Sequence, residues 1–232
     1  EGAGRSVLLL HPVGIDLTFL APLAALLAKR YRVMRMDLRG HGGSPLMPLA
    51  HDLGDFADDV HDTLVHSGFG PCAVVGFSFG GMVAQTLALR HAADVSALIP
   101  CAGPCTQTPE GRIVAASRGT DALARGMGVV LEAAMDRWFT PAFRASGGAD
   151  AAEKYLRERD PRGWAQGWKA IAAIDTLPDL PQVCVPTLCI AGELDKSSPP
   201  EKVKMIADAV PDARFRVIPG APHMLFIEQP GA

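Results

Sequence analysis

The sequence predicts an α/β fold: a doubly wound, mostly parallel sheet with a helical cap inserted between two of its strands. Three observations carry this reading. Short, unbroken apolar runs such as Ser6 to Leu10 and Val95 to Cys101 mark strands buried on both faces. Between them lie segments with apolar residues at helical spacing, long enough to cross over and pair strands in parallel. From about Gly103 to Asp175 the strand pattern disappears and only helical faces remain. The expected division is a core of residues 1–102 and 176–232 and a cap of residues 103–175.

In chain order, Ser6 to Leu10 is the first strand and His11-Pro12-Val13-Gly14 its turn. Leu17, Leu20, Ala24 and Leu27 make a helical stripe capped by Asp16. Arg32 to Met36 is a strand, followed by a glycine-rich loop, Asp37 to Ser44. Leu53, Phe56, Ala57, Val60 and Leu64 form the next helical face, with Asp55, Asp58, Asp59 and Asp62 expected on its solvated side. Ser67-Gly68 stops that helix. A strand through Val75 then turns sharply into a helix that runs to about Arg90. In the inserted region Leu131, Ala134, Met135 and Trp138 share a face, and further helices are expected over 151–159 and 164–174. Beyond it, Val185 to Ala191 is a strand. Ser198-Pro199-Pro200-Glu201 reads as a helix start with a serine cap and a capping-box glutamate. Phe215 to Ile218 is the last strand.

Composition narrows the function. The chain has 232 residues, of which 48% are hydrophobic and 20% charged, enough to bury a large core. Its net charge is -3 and it has no basic run, which argues against a nucleic-acid partner. No apolar run approaches a membrane span. The five cysteines are scattered without zinc spacing and read as reduced thiols of a cytoplasmic protein, with no metal. The chain opens at Glu1 without methionine and stops at Ala232 soon after an apolar segment, so further residues are expected at both ends.

The chemistry centres on Gly76-Phe77-Ser78-Phe79-Gly80. A serine on a tight strand-to-helix turn is forced into a strained backbone, and the flanking glycines let the chain close around it. Asp195 and His223 occupy equivalent places, each just past a predicted strand. Nucleophile, acid, histidine is the order of a nucleophile-elbow hydrolase. Serine needs a base, and the base needs a carboxylate to hold its tautomer. An oxyanion hole needs two backbone N–H groups; Phe79 supplies one and Val13 the other, since Pro12 has none. His11 and His41 are read as structural, and His51, His61, His66 and His91 lie in no motif. The glycine turn lacks the Lys-Ser/Thr of a phosphate loop, and no cofactor is implied.

These pieces, taken together in order over residues 6 to 229, resemble the α/β-hydrolase superfamily. The motifs are His11-Pro-Val-Gly14, Asp37-Leu-Arg-Gly-His-Gly-Gly-Ser44, Gly76-Phe-Ser-Phe-Gly-Gly81, Gly192-Glu-Leu-Asp195 and His223. Pro12 and Pro222 depart from the small residues usual at those positions. Within the superfamily, Asp136-Arg-Trp-Phe-Thr-Pro-Ala-Phe143 and the stretch from Trp164 to Leu177 resemble 3-oxoadipate enol-lactonases. That likeness implies an esterase-type enzyme acting on a small ester or lactone, with Trp138, Trp164 and Trp168 of the cap near the substrate and Arg137 as a cation for a dicarboxylate. A general carboxylesterase or perhydrolase shares the same triad, and a small-molecule receptor on a hydrolase fold is the reading from outside enzymology.

Overall fold

The computed structural model describes residues 1–47 and 52–232. Six strands form one sheet: β1 (Ser6–Leu10), β2 (Arg32–Met36), β3 (Cys72–Phe77), β4 (Val95–Cys101), β5 (Leu188–Gly192) and β6 (Arg214–Ile218). Every neighbouring pair is parallel, in the order β2-β1-β3-β4-β5-β6. Central β1 is buried along nearly its whole length, as its apolar run requires, whereas the edge strands β2 and β6 carry Arg32, Arg35, Arg214 and Arg216. Charge on an edge strand discourages pairing with another chain.

The helices are α1 (Ala21–Leu27), α2 (Leu53–Ser67), α3 (Phe79–Arg90), α4 (Pro109–Arg125), α5 (Gly128–Trp138), α6 (Pro141–Ala145), α7 (Asp150–Arg157), α8 (Pro161–Ala172), α9 (Pro200–Ala209) and α10 (Leu225–Glu228). The chain steps from β1 outward to β2, returns past β1 to β3, and then continues outward to β6. This reversal puts the carboxyl ends of β1 and β3 side by side, with Leu10 in register with Gly76. Open α/β sheets bind ligands at such a switch point. Helices α4 to α8 all fall between β4 and β5. The two stems of this insertion meet where Thr106 and Asp175 form an antiparallel bridge. Thr106 Oγ1 donates to Asp175 Oδ1 (2.9 Å), and the Thr176 amide donates to the Cys105 carbonyl (2.8 Å).

Four expectations are corrected. The regular ladder of β5 starts at Leu188 rather than Val185, because Pro186 has no N–H to donate; its carbonyl still accepts from Leu98 (3.0 Å). Helix α9 begins one residue later than expected, with Pro199 at the cap position and no side-chain bond, so Ser198 is not its cap. The acidic set on α2 is not merely solvated. Asp59 takes two hydrogen bonds from Arg39 (2.5 and 2.6 Å), Asp58 pairs with Arg90 and His91, and Asp55 closes a capping box with Asp52. The segment from Leu17 begins as a 3₁₀ turn, Leu17–Leu20, with the Asp16 side chain accepting from the Thr18 amide, before α1 proper.

The turn between β3 and α3 is the tightest place in the fold. Ser78 has φ 52° and ψ -111°, in the left-handed region that a non-glycine residue rarely adopts. A Cβ at Gly76 would stand 2.2 Å from the Gly80 carbonyl oxygen, and one at Gly80 would stand 2.4 Å from the Leu10 carbonyl oxygen. Both obstacles are backbone and cannot swing away. Gly80→Ala is therefore expected to lower the melting temperature by roughly 5–10 °C, the scale of an overpacked core in a chain of this size. Differential scanning calorimetry checks it, and a melting temperature equal to wild type would contradict the packing described.

Candidate active site

Ser78, His223 and Asp195 converge at the carboxyl edge of the sheet although they are far apart in sequence. Ser78 Oγ lies 2.9 Å from His223 Nε2, and His223 Nδ1 lies 2.8 Å from Asp195 Oδ2. With Nδ1 facing a carboxylate, the proton sits on Nδ1 and Nε2 is left to accept from the serine hydroxyl. All three residues are buried. The second oxygen of Asp195 is also engaged: Oδ1 accepts from the amides of Ser197 (2.7 Å) and Ser198 (2.8 Å). The carboxylate folds the loop from 195 to 198 around itself, and α9 begins only at Pro200, with Pro199 at the cap position.

Phe79 is the first residue of α3, so its amide has no carbonyl one turn back to bond. Val13, in the loop after β1, lines the same cavity as Ser78. That loop is pinned by His11. The Leu38 amide donates to His11 Nε2 (3.0 Å), so the ring proton is on Nδ1, which donates to the Pro12 carbonyl (2.7 Å). His11 is thus a neutral brace holding the loop that bears Val13.

A small cavity of about 40 Å³ opens beside the serine, lined by Pro12, Val13, Ser78, Trp138, Trp168 and His223 together with Gln107, Arg118 and Ser197. Of the tryptophans expected near substrate, Trp138 and Trp168 line it and Trp164 does not. Trp164 packs on Trp138 and Trp168 (ring centroids 6.3 and 5.5 Å), and its indole N–H donates to the Arg118 carbonyl (2.9 Å). Arg137 is also absent from the lining; it is half-buried, with Nε lacking a hydrogen-bond partner. Arg118 was not anticipated. A single arginine among the polar residues of a helix carries no signal until the neighbouring helix is known.

Two of the histidines read as lying outside any motif prove to be clustered. His61 and His91 stack at 4.0 Å, His61 faces Asp94 (2.6 Å) and His91 faces Asp58 (2.7 Å). They come together because α2 and α3 pack side by side, which no local pattern reveals. His61 is held above its ordinary pKa by Asp94. His51 lies outside the described residues. No helix among the described residues is long and apolar enough to cross a membrane.

Comparison with known proteins places the chain in a family. Residues 7–232 match the model of the alpha/beta hydrolase family. The chain belongs to that family. It is 28% identical over 99% of its length to a pimeloyl-[acyl-carrier protein] methyl ester esterase of Aeromonas hydrophila, covering 92% of that protein. It is 27% identical over 95% of its length to 3-oxoadipate enol-lactonase 1 of Acinetobacter baylyi, covering 82% of it. A thermophilic esterase from Thermogutta terrifontis, solved with malate bound, superposes with a TM-score of 0.92 at 29% identity, over 99% of this chain and 86% of that one. The expected superfamily and fold are therefore as the sequence indicated, with esterases and lactonases among the relatives.

Two buried imidazoles, His11 after β1 and His41 after β2, have a consequence for stability. Burial pushes His11 from the ordinary 6.5 down to about 4. It pushes His41, whose ring centroid lies 5.1 Å from that of His11, down to about 3, with the neighbouring His11 adding to the effect. Both are neutral when folded and take up protons more readily when unfolded. Their contribution is complete above pH 6.5 and is lost as pH falls from there through 4 toward 3. At about 1.4 kcal/mol per pKa unit, His11 alone accounts for roughly 3 kcal/mol. Urea unfolding at a series of pH values between 7 and 4 is expected to show this loss, and His41→Gln to make it shallower; an identical pH profile in the variant would contradict the assignment.

Proposed function

We propose that the protein hydrolyses carboxylic esters or lactones by acyl transfer through Ser78. The observation that carries this reading is the unbroken, buried line from Ser78 Oγ to His223 Nε2 (2.9 Å) and from His223 Nδ1 to Asp195 Oδ2 (2.8 Å). Ser78 Oγ attacks the carbonyl carbon while its proton passes to His223 Nε2. The carbonyl oxygen becomes an oxyanion held by the Val13 and Phe79 amides. Collapse expels the alkoxide, which takes the proton from His223. Water then repeats the sequence on the acyl-enzyme, giving up a proton to His223 and releasing the acid. Asp195 keeps its charge throughout and stabilises the imidazolium. Its two backbone bonds fix the oxygen that His223 does not use.

Residues 103–175 act in this reading as a cap that closes over the serine and supplies the acyl-binding wall through Trp138 and Trp168. The cavity is small, so the acyl group is short or the cap yields to admit it. The finer assignment is hydrolysis of 3-oxoadipate enol-lactone in aromatic catabolism. Its support is the cap likeness, the Acinetobacter lactonase and the malate in the Thermogutta esterase. A tethered enol is also a good leaving group, since it tautomerises to a ketone. A methyl-ester esterase is the second reading, supported by the Aeromonas relative. Five free thiols, four of them buried, support placement in a reducing cytoplasm.

The test is turnover with Ser78→Ala as control. Decay of 3-oxoadipate enol-lactone in the ultraviolet, lost in Ser78→Ala, supports the lactonase. Cleavage of a short methyl ester without lactone decay supports the esterase. Asp195→Asn is expected to fold normally and lose roughly 10⁴-fold in kcat, because the imidazole loses its charge partner and its fixed tautomer. A folded Ser78→Ala protein with undiminished esterase activity would falsify the mechanism.

A further inference from the structure

Arg118 stands out among the described arginines. It lines the cavity that holds Ser78 and His223, and its guanidinium carbon lies 4.4 Å from the centroid of the Trp168 ring. Its guanidinium makes no hydrogen bond or ion pair among the described residues. Arg39 shows the usual alternative: half-buried as well, it is met by both oxygens of Asp59. No aspartate or glutamate side chain lines the cavity. Burial lowers the pKa of Arg118 from 12.5 to about 10, and the nearby Arg137 adds to the drop. Arg137 is itself lowered by burial, and its Nε is buried without a partner. At neutral pH both remain charged. Asp136 offsets part of the Arg137 charge, but no carboxylate lines the cavity beside Arg118, so the partly desolvated site carries a positive field.

The face of Trp168 holds the Arg118 guanidinium, whose N–H groups have no partner among the described residues. A guanidinium edge matches the two oxygens of a carboxylate, and a charge-assisted pair at this depth is stronger than one in water. The Trp164 indole holds the Arg118 carbonyl (2.9 Å), so this stretch of α4 is anchored to α8. We propose that Arg118 is the substrate-selecting residue, binding an ionised carboxylate on the acyl part of the substrate, so that the protein takes half-esters or lactones of dicarboxylic acids. The inference rests on the Ser78 hydrolase reading for its setting, but its binding arm can be measured without turnover.

The experiment compares monomethyl adipate with methyl hexanoate, equal in chain length and different in charge. Wild type is expected to favour the half-ester in kcat/KM by about tenfold or more, chiefly through KM. Arg118→Gln is expected to bring the ratio near one, and Arg118→Lys to restore part of it. In parallel, adipate is titrated calorimetrically into Ser78→Ala, alone and combined with Arg118→Gln, where a tenfold weakening is expected. A wild type that prefers the neutral ester overturns the proposal even if Arg118→Gln does not fold. So does an unchanged ratio in folded Arg118→Gln. Ser78-dependent turnover with no adipate binding sinks the carboxylate site and leaves the hydrolase standing. Arg118-dependent adipate binding with neither ester cleaved does the reverse.

Discussion

The left-handed backbone of Ser78 costs on the order of 1–3 kcal/mol, and it persists only because its surroundings allow no alternative. Its amide donates to the Cys101 carbonyl (2.7 Å) and its carbonyl accepts from the Met82 amide (3.1 Å), so both polar groups of the strained residue are satisfied. Gly76 and Gly80 let β3, α3 and β1 approach to a distance that any side chain would prevent. The strain aims the hydroxyl out of the sheet toward His223. It also starts α3 at Phe79, which leaves that amide unbonded one residue from the hydroxyl. The proposed nucleophile and the proposed oxyanion donor Phe79 are thus set by a single backbone conformation.

The other half of the site comes from topology. Because the winding reverses between β1 and β3, the loop carrying Val13 and the turn carrying Ser78 are neighbours by construction. Two buried polar groups then hold their loops in the same way, by spending both of their hydrogen-bonding atoms. Asp195 gives one oxygen to His223 and the other to two amides. His11 gives one nitrogen to Leu38 and the other to Pro12. A half-satisfied group at either place would be an expensive defect. Each is complete, and its loop has one favoured shape. The neutrality of His11 belongs to that arrangement, since a proton on Nε2 would displace the Leu38 amide.

What was legible in the sequence follows the range of the forces involved. Buried parallel strands announce themselves as apolar runs, and the serine, the acid and the histidine each sit directly after such a run, so fold and triad residues could be read together. The alignment of Ser78, His223 and Asp195 into hydrogen-bonding distance could not. Expectations failed where a distant partner outbid a local preference. Asp58 and Asp59 look solvated on their own helix until Arg90, His91 and Arg39 arrive from elsewhere. Trp138, Trp164 and Trp168 are indistinguishable in sequence, because the packing of α5 and α8 decides which rings meet the cavity. Arg118 was silent for the same reason.

The packing of α8 against the sheet bears on how selectivity would be built. A Cβ at Gly167 of α8 would lie 2.7 Å from Val13 Cγ2, so α8 rests directly on the loop that carries the second proposed oxyanion donor. Trp168, the next residue, lines the cavity. A change on this face of α8 therefore disturbs substrate contact and oxyanion geometry together. Arg118 sits one layer further out, on α4, joined to α8 through its own carbonyl and the face of Trp168. Its guanidinium makes no hydrogen bond to Val13, Phe79 or His223 among the described residues. In the proposed reading, charge selection on α4 is thus separate from the relay through Ser78, His223 and Asp195, and the choice of acyl group can vary while that relay stays the same.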